Sequence, residues 1–152
     1  MSISKRLEEL GITLPRAAAP VASYQPLVVE GGLAHLSGQL PFIDGQLVTG
    51  RLGADVGLED GQRAARACGL MILAQLQANG IDLDRVNRVV KLGAFVASTA
   101  DFHDQPKVAN GASDLMFDVF GEAGRHARSA VGVAVLPLNA AVEVDAIVAL
   151  KD

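Results

Sequence analysis

The chain has 152 residues, half of them hydrophobic and 20% charged, a length that suits one compact domain and leaves little room for two. Thirteen Lys and Arg against seventeen Asp and Glu give a net charge of -4, which lacks the positive field that sequence-independent phosphate binding requires, so a broad nucleic-acid surface is disfavoured. With 4% aromatics and no Trp, the chain carries more aliphatic and alanine surface than a small monomer easily hides, a hint of subunit contacts.

The single cysteine, Cys68, excludes an internal disulfide framework and a CxxC motif, and reducing cytoplasm is the natural setting. Residues 1–11 read as a short charged helix without the apolar core of a secretory signal, and no apolar run is long enough to span a membrane. Residues 12–22, with Pro15, Pro20 and a run of alanines, suit an extended arm. Residues 24–30 and 33–37 predict two strands joined at Gly31-Gly32, because two glycines tolerate the backbone angles of a tight hairpin. A smaller hairpin is predicted over 42–48, with Asp44-Gly45 as its turn.

The spacing then changes to steps of three and four. Ala65, Cys68, Ile72 and Leu76 define the principal helix over 59–79, stopped by Gly80. Residues 86–96, rich in Val, read as a strand, and a second helix runs from Pro106 to about Phe120, ended by the glycines at 121 and 124. Two further strands, 127–136 and 141–150, flank Pro137-Leu138-Asn139. The order predicts an α+β domain over 1–152: a mixed sheet with both main helices packed on one face, and 1–22 as an N-terminal helix and arm.

Arg128 stands at the mouth of an apolar strand, where its planar fork can present itself to a carboxylate or phosphate; the alternative is a surface Arg whose stem lies over the sheet edge. Alternation along 141–148 places Glu143 and Asp145 on one strand face and Val142, Val144 and Ala146 on the other. A solvent-facing pair is the plain reading, but a covering subunit would make Glu143 a candidate general base. Ser37 and the three histidines lack the G-x-S-x-G elbow and any triad spacing, so Ser37-Gly38 reads instead as a strand end with available backbone groups. No HxxxH or HExxH pairing points to a metal, no Gly-rich phosphate loop occurs, and Cys68 falls in the apolar arc of its helix as a buried, inert thiol.

Taken together, Tyr24 thirteen residues before Ser37-Gly38-Gln39-Leu40-Pro41, the stretch from Val90 to Val96, Ala127-Arg128-Ser129 and Val142-Glu143-Val144 resemble the Rid family, also called YjgF or reactive-intermediate deaminases. The resemblance runs from about Ala22 to the C-terminus, and the additional N-terminal helix looks like a longer branch of the family. It implies a chorismate mutase-like fold and a homotrimer with clefts between subunits, which would take up the surplus aliphatic surface. It also implies hydrolytic deamination of 2-imino or 2-enamino acids to 2-keto acids and ammonia, with Arg128 holding the substrate carboxylate and Glu143 beside the attacking water. Tyr24, Ser37, Gly38, Asn110, Ser129 and Ala130 would complete the substrate site. Ala130 stands where many members have Cys, and Gly132 where an acidic residue is frequent. The reaction demands no cofactor and no metal; the expected partner is a small carboxylate-bearing metabolite. A non-catalytic metabolite-binding or regulatory module using the same cleft is the competing reading, and endoribonuclease activity, attached to some members, is a third that the acidic charge disfavours.

Overall fold

The computed structural model describes residues 1–20 and 22–152; Val21, within the expected arm, lies outside the described residues. Strands β1 (Leu27–Glu30) and β2 (Leu33–Gln39) form the expected hairpin, with Gly31 and Gly32 at φ 60° and 77°, a region that costs glycine nothing. Phe42–Ile43 (β3) and Gln46–Leu47 (β4) form the smaller hairpin around Asp44-Gly45. A short helix, α1, spans Ile3–Glu9, and the two main helices are α2 (Leu58–Ala78) and α3 (Gln105–Phe120). The remaining strands are β5 (Val86–Ala97), β6 (Ala127–Val133) and β7 (Val142–Leu150).

The main sheet runs β1-β2-β7-β5-β6, with β5 and β6 parallel and every other neighbouring pair antiparallel. A parallel pair needs a crossover, and α3 supplies it. β6 and β7, adjacent in sequence, are therefore separated by β5. Val142, Val144, Ala146 and Val148 of β7, with Val89, Leu92, Ala94 and Val96 of β5, are buried on one face. Both long helices cover that face, α2 through Ala65, Cys68, Ile72 and Leu76, and α3 through Val108, Ala112, Leu115 and Met116. The α+β architecture with both helices on one side is thus the one the sequence pattern predicts. No helix among the described residues is long and apolar enough to cross a membrane.

Several boundaries move for identifiable reasons. β1 starts at Leu27, later than residue 24, because Pro26 has no N–H to give the ladder; its carbonyl accepts from Ser37 N–H at 2.9 Å. β2 runs two residues beyond Ser37 through a register irregularity between Leu36 and Gln39. β6 stops at Val133, three residues short of the expected end, where the sheet gives way to the Pro137–Asn139 turn.

α2 and α3 approach so closely that a Cβ on Gly111 would overlap the Gln62 carbonyl. Gly111→Ala should therefore destabilise by about 1–3 kcal/mol, a drop of several degrees in Tm. Gly57→Ala, at a helix start with open space around it, should cost less than half as much. Equal losses in thermal melts would contradict this account of the helix contact.

Candidate functional site

Arg128 pairs in register with Leu92 on the parallel ladder and so leaves the sheet on the helix side, at the β6 edge. One guanidinium nitrogen, Nη1, donates to Asn110 Oδ1 at 2.9 Å and to Ser113 Oγ at 3.0 Å. Asn110 and Ser113 are three residues apart on α3 and share a helix face, so the crossover helix acts as a rack for the fork. Nε and Nη2 make no hydrogen bond among the described residues. That leaves free the side-on edge with which an arginine grips a carboxylate through two parallel N–H bonds. The half-buried side chain opens onto a cleft of about 420 Å³ that also meets Ser113, Asp114, Phe117, Arg125 and His126.

The flanking cations are not equivalent. Arg125 lies over the Phe117 ring, 4.4 Å from its centroid, and donates to Glu122 at 3.0 Å. Burial pushes the His126 imidazole below its ordinary pKa and the nearby Arg128 charge adds to this, against an opposing hydrogen bond with the Ala127 carbonyl. The neutral imidazole is thus favoured at His126, and Arg125 is taken up by Phe117 and Glu122, which leaves the Arg128 fork as the cleft cation with donors to spare.

A second locus forms around Glu143. It pairs with Phe95, so it leaves β7 on the face away from the helices, together with Asp145. Its cleft, about 480 Å³, is lined by Tyr24, Pro26, Gly38, Leu40, Pro137 and Leu138, with further residues of the arm. Gly38 leaves the Glu143 carboxyl its place: a Cβ there would stand 2.7 Å from Glu143 Cδ and push the end of that side chain aside. Ser37 Oγ donates to the Gln25 carbonyl at 2.7 Å and tethers the loop that carries the half-exposed Tyr24. Leu138 holds φ 58°, a conformation that costs an L residue about 1–2 kcal/mol, and projects its exposed side chain at the mouth. Burial, and after it the negative charge of Asp145, hold the Glu143 carboxyl above its ordinary pKa.

The expected site residues therefore divide. Arg128, Asn110 and Ala130 share the helix side of β6, whereas Tyr24, Ser37, Gly38 and Glu143 surround the other cleft. Ser129 pairs with Gly93 and faces away from the Arg128 fork, because neighbours on a strand alternate. Within one chain Arg128 and Glu143 sit on opposite faces, two strand spacings across and three residues along the sheet, about 14 Å before side chains are counted. Ser113 and Leu138 were not singled out in the sequence; the three-residue step from Asn110 was a signal for the first, and a Pro-Leu-Asn turn before Glu143 for the second.

A mixed sheet with both long helices on one face and a crossover helix racking an arginine places the chain among the α+β proteins. Residues 4–150 match the family described as "YjgF/chorismate mutase-like, putative endoribonuclease", and the chain belongs to it. The match begins at residue 4, within α1, so it takes in nearly all of the N-terminal helix and the arm. Protein TCP17 of Trypanosoma cruzi is 56% identical over 152 residues, covering 99% of this chain and 95% of the relative. A 2-iminobutanoate/2-iminopropanoate deaminase of Dermatophagoides farinae is 31% identical over 142 residues, 92% of this chain and 95% of the relative. The crystal structure of Atu1372 from Agrobacterium tumefaciens, of unknown function, superposes with a TM-score of 0.90 at 51% identity, over 98% of this chain and 92% of that one.

A raised Glu143 pKa has a stability consequence. The folded state favours the protonated acid, so this contribution is full below the ordinary Glu range and is lost as pH rises through the folded pKa. Glu143→Gln should raise Tm at pH 7 and leave it unchanged below about pH 4. A neutral-pH loss in calorimetric melts would contradict the burial reading. Cys68 is fully buried, with its S–H directed at the Val142 carbonyl at 3.6 Å, and burial followed by the Glu143 charge pushes the thiol well up. Aromatic disulfide reagents should titrate it only after denaturation; stoichiometric labelling of the native protein would contradict that placement.

Proposed function

We propose that the protein hydrolyses small 2-imino acids to 2-keto acids and ammonia in clefts assembled from two copies of the chain, within a homotrimer. The observation that carries this reading is the Arg128 fork, fixed through Nη1 by Asn110 and Ser113 with its side-on edge free. Such an edge fits a carboxylate, the group that every 2-imino acid carries beside its reacting carbon. The named activity of the Dermatophagoides farinae relative supports the substrate class. Because the sheet separates Arg128 from Glu143, a ligand touching both needs Arg128 from one protomer and Glu143 from another.

The chemistry asks little of the protein. Water adds to the imine carbon to give a carbinolamine; a proton moves from the added oxygen to nitrogen, and the C–N bond breaks to leave a carbonyl and ammonia. Arg128 fixes the carboxylate and so the plane of the imine, which supplies orientation. Glu143, whose carboxyl burial holds above its ordinary pKa, accepts a proton from water and returns it to the departing nitrogen. Gly38 lets the chain pass against this carboxylate. An RNA-cleaving reading draws no support from a chain of net charge -4 whose second cleft contains a carboxylate.

Turnover of freshly generated 2-iminobutyrate tests the roles. A bidentate charged contact is worth about 3–4 kcal/mol, so Arg128→Ala should lower kcat/KM by about 10²- to 10³-fold with the oligomer intact. Glu143→Gln should lower kcat by about 10²-fold or more with little change in KM, and should remove the acid limb of the pH profile. Undiminished turnover in Arg128→Ala would exclude it as the anchor. Tight ligand binding by the wild type without any rate enhancement would instead favour a metabolite-binding module.

A further inference from the structure

One wall of the Glu143 cleft comes from neither the sheet nor the long helices. α1 is fastened by Ile3 N–H to Asp84 Oδ1 at 2.7 Å and by Arg6 Nε–H to the Asp118 carbonyl at 2.8 Å. The arm then passes over α2 with Ile12 and Leu14 packed on the core. Ala18, Ala19 and Pro20 reach the cleft and line it together with Leu40, Leu138 and Glu143.

Among the described residues, one side-chain hydrogen bond reaches this wall. Gln75 Nε2 donates to the Ala18 carbonyl at 2.7 Å and to Gln39 Oε1 at 3.2 Å. Gln39 Nε2 donates in turn to the Ser37 carbonyl at 2.9 Å, and Ser37 Oγ to the Gln25 carbonyl at 2.7 Å. The relay ties together the arm, the segment carrying Gly38 and the loop carrying Tyr24, which are three sides of one cleft. Gln39, at the end of β2, is 6% exposed, and Gln75 only 3%, in a helix whose neighbouring inward positions are Met71, Ile72 and Leu76. An amide so placed costs stability unless its bonds are made, and here both Nε2 bonds lead to the cleft walls. The wall itself offers methyl and ring surface at Ala18, Ala19 and Pro20, which suits hydrocarbon and limits its bulk.

We infer that Gln75 is a positioning residue that pins the N-terminal arm as the size-limiting wall of the Glu143 cleft, so that acids with short aliphatic side chains are favoured over bulky aromatic ones. The inference rests on the imino-acid reading of this cleft and assigns its size selectivity to the arm, a segment distant in sequence from the Arg128 and Glu143 strands. Releasing the arm widens the cleft. Adding bulk to the wall narrows it further.

Binding of stable 2-oxo acids separates the selectivity from turnover. Calorimetric titration of the wild type with 2-oxobutyrate and phenylpyruvate should give a ratio of Kd values of about tenfold or more in favour of the short acid. Gln75→Leu should bring that ratio towards one and speed trypsin cleavage after the exposed Arg16 by about fivefold, the loss of one hydrogen bond's hold on the arm. Ala19→Leu, at an exposed wall position that threatens no packing, should widen the ratio several-fold and decides the matter if Gln75→Leu does not fold. A folded Gln75→Leu with an unchanged ratio, an arm no more readily cut, or an Ala19→Leu ratio equal to the wild type's would overturn the inference alone. Wild-type protein that binds neither acid would overturn the imino-acid reading beneath it.

Discussion

The parallel pairing of β5 with β6 is the constraint from which the candidate site follows. Parallel neighbours cannot be joined by a tight turn, so the chain must cross the sheet as α3 before β6 is laid down. That crossing puts Asn110 and Ser113 over the edge strand at the level of Arg128. The arginine is thereby oriented before any ligand arrives, and the entropy of ordering a long side chain is met in folding and not in binding.

The same sheet keeps the carboxylate away from the cation. Had Glu143 and Arg128 shared a face, they could have paired, and neither would be free for a ligand. Instead β7 alternates Val142, Val144 and Ala146 into the core and Glu143 and Asp145 out of it, while β6 turns Arg128 towards α3. Two neighbouring carboxylates on a half-covered face repel, and burial keeps both above their usual pKa values. The same face also carries the exposed Val131 and the half-buried Ile147, so apolar surface lies beside the carboxylates.

Much of the fold was legible because its signals are local. Gly31-Gly32 marks the hairpin, the three-and-four spacing around Cys68 marks α2, and alternation in 141–148 separates the core valines from Glu143. The strand order was not legible, since nothing in β6 or β7 announces that β5 comes between them; that depends on the crossover and on long-range pairing. Arg128, Asn110, Gly38 and Glu143 could be named from their family resemblance, but their division between two faces appears only once register is known. Ser129 shows the limit: it neighbours Arg128 in sequence yet faces the other way. Gln75 is polar within an otherwise apolar helical arc, and its use is visible only when the arm's backbone is placed above it.

The most direct measurement of a two-chain site mixes two disabled proteins. Arg128→Ala and Glu143→Gln are purified separately, unfolded, combined in equal amounts and refolded together, and 2-iminobutyrate turnover is compared with each variant refolded alone. A cleft shared between protomers predicts that about a quarter of the interfaces regain both native side chains and a matching share of wild-type activity returns. Activity in the mixed assemblies no higher than the mean of the two parents would contradict a site in which the arginine of one chain and the carboxylate of another act on the same molecule.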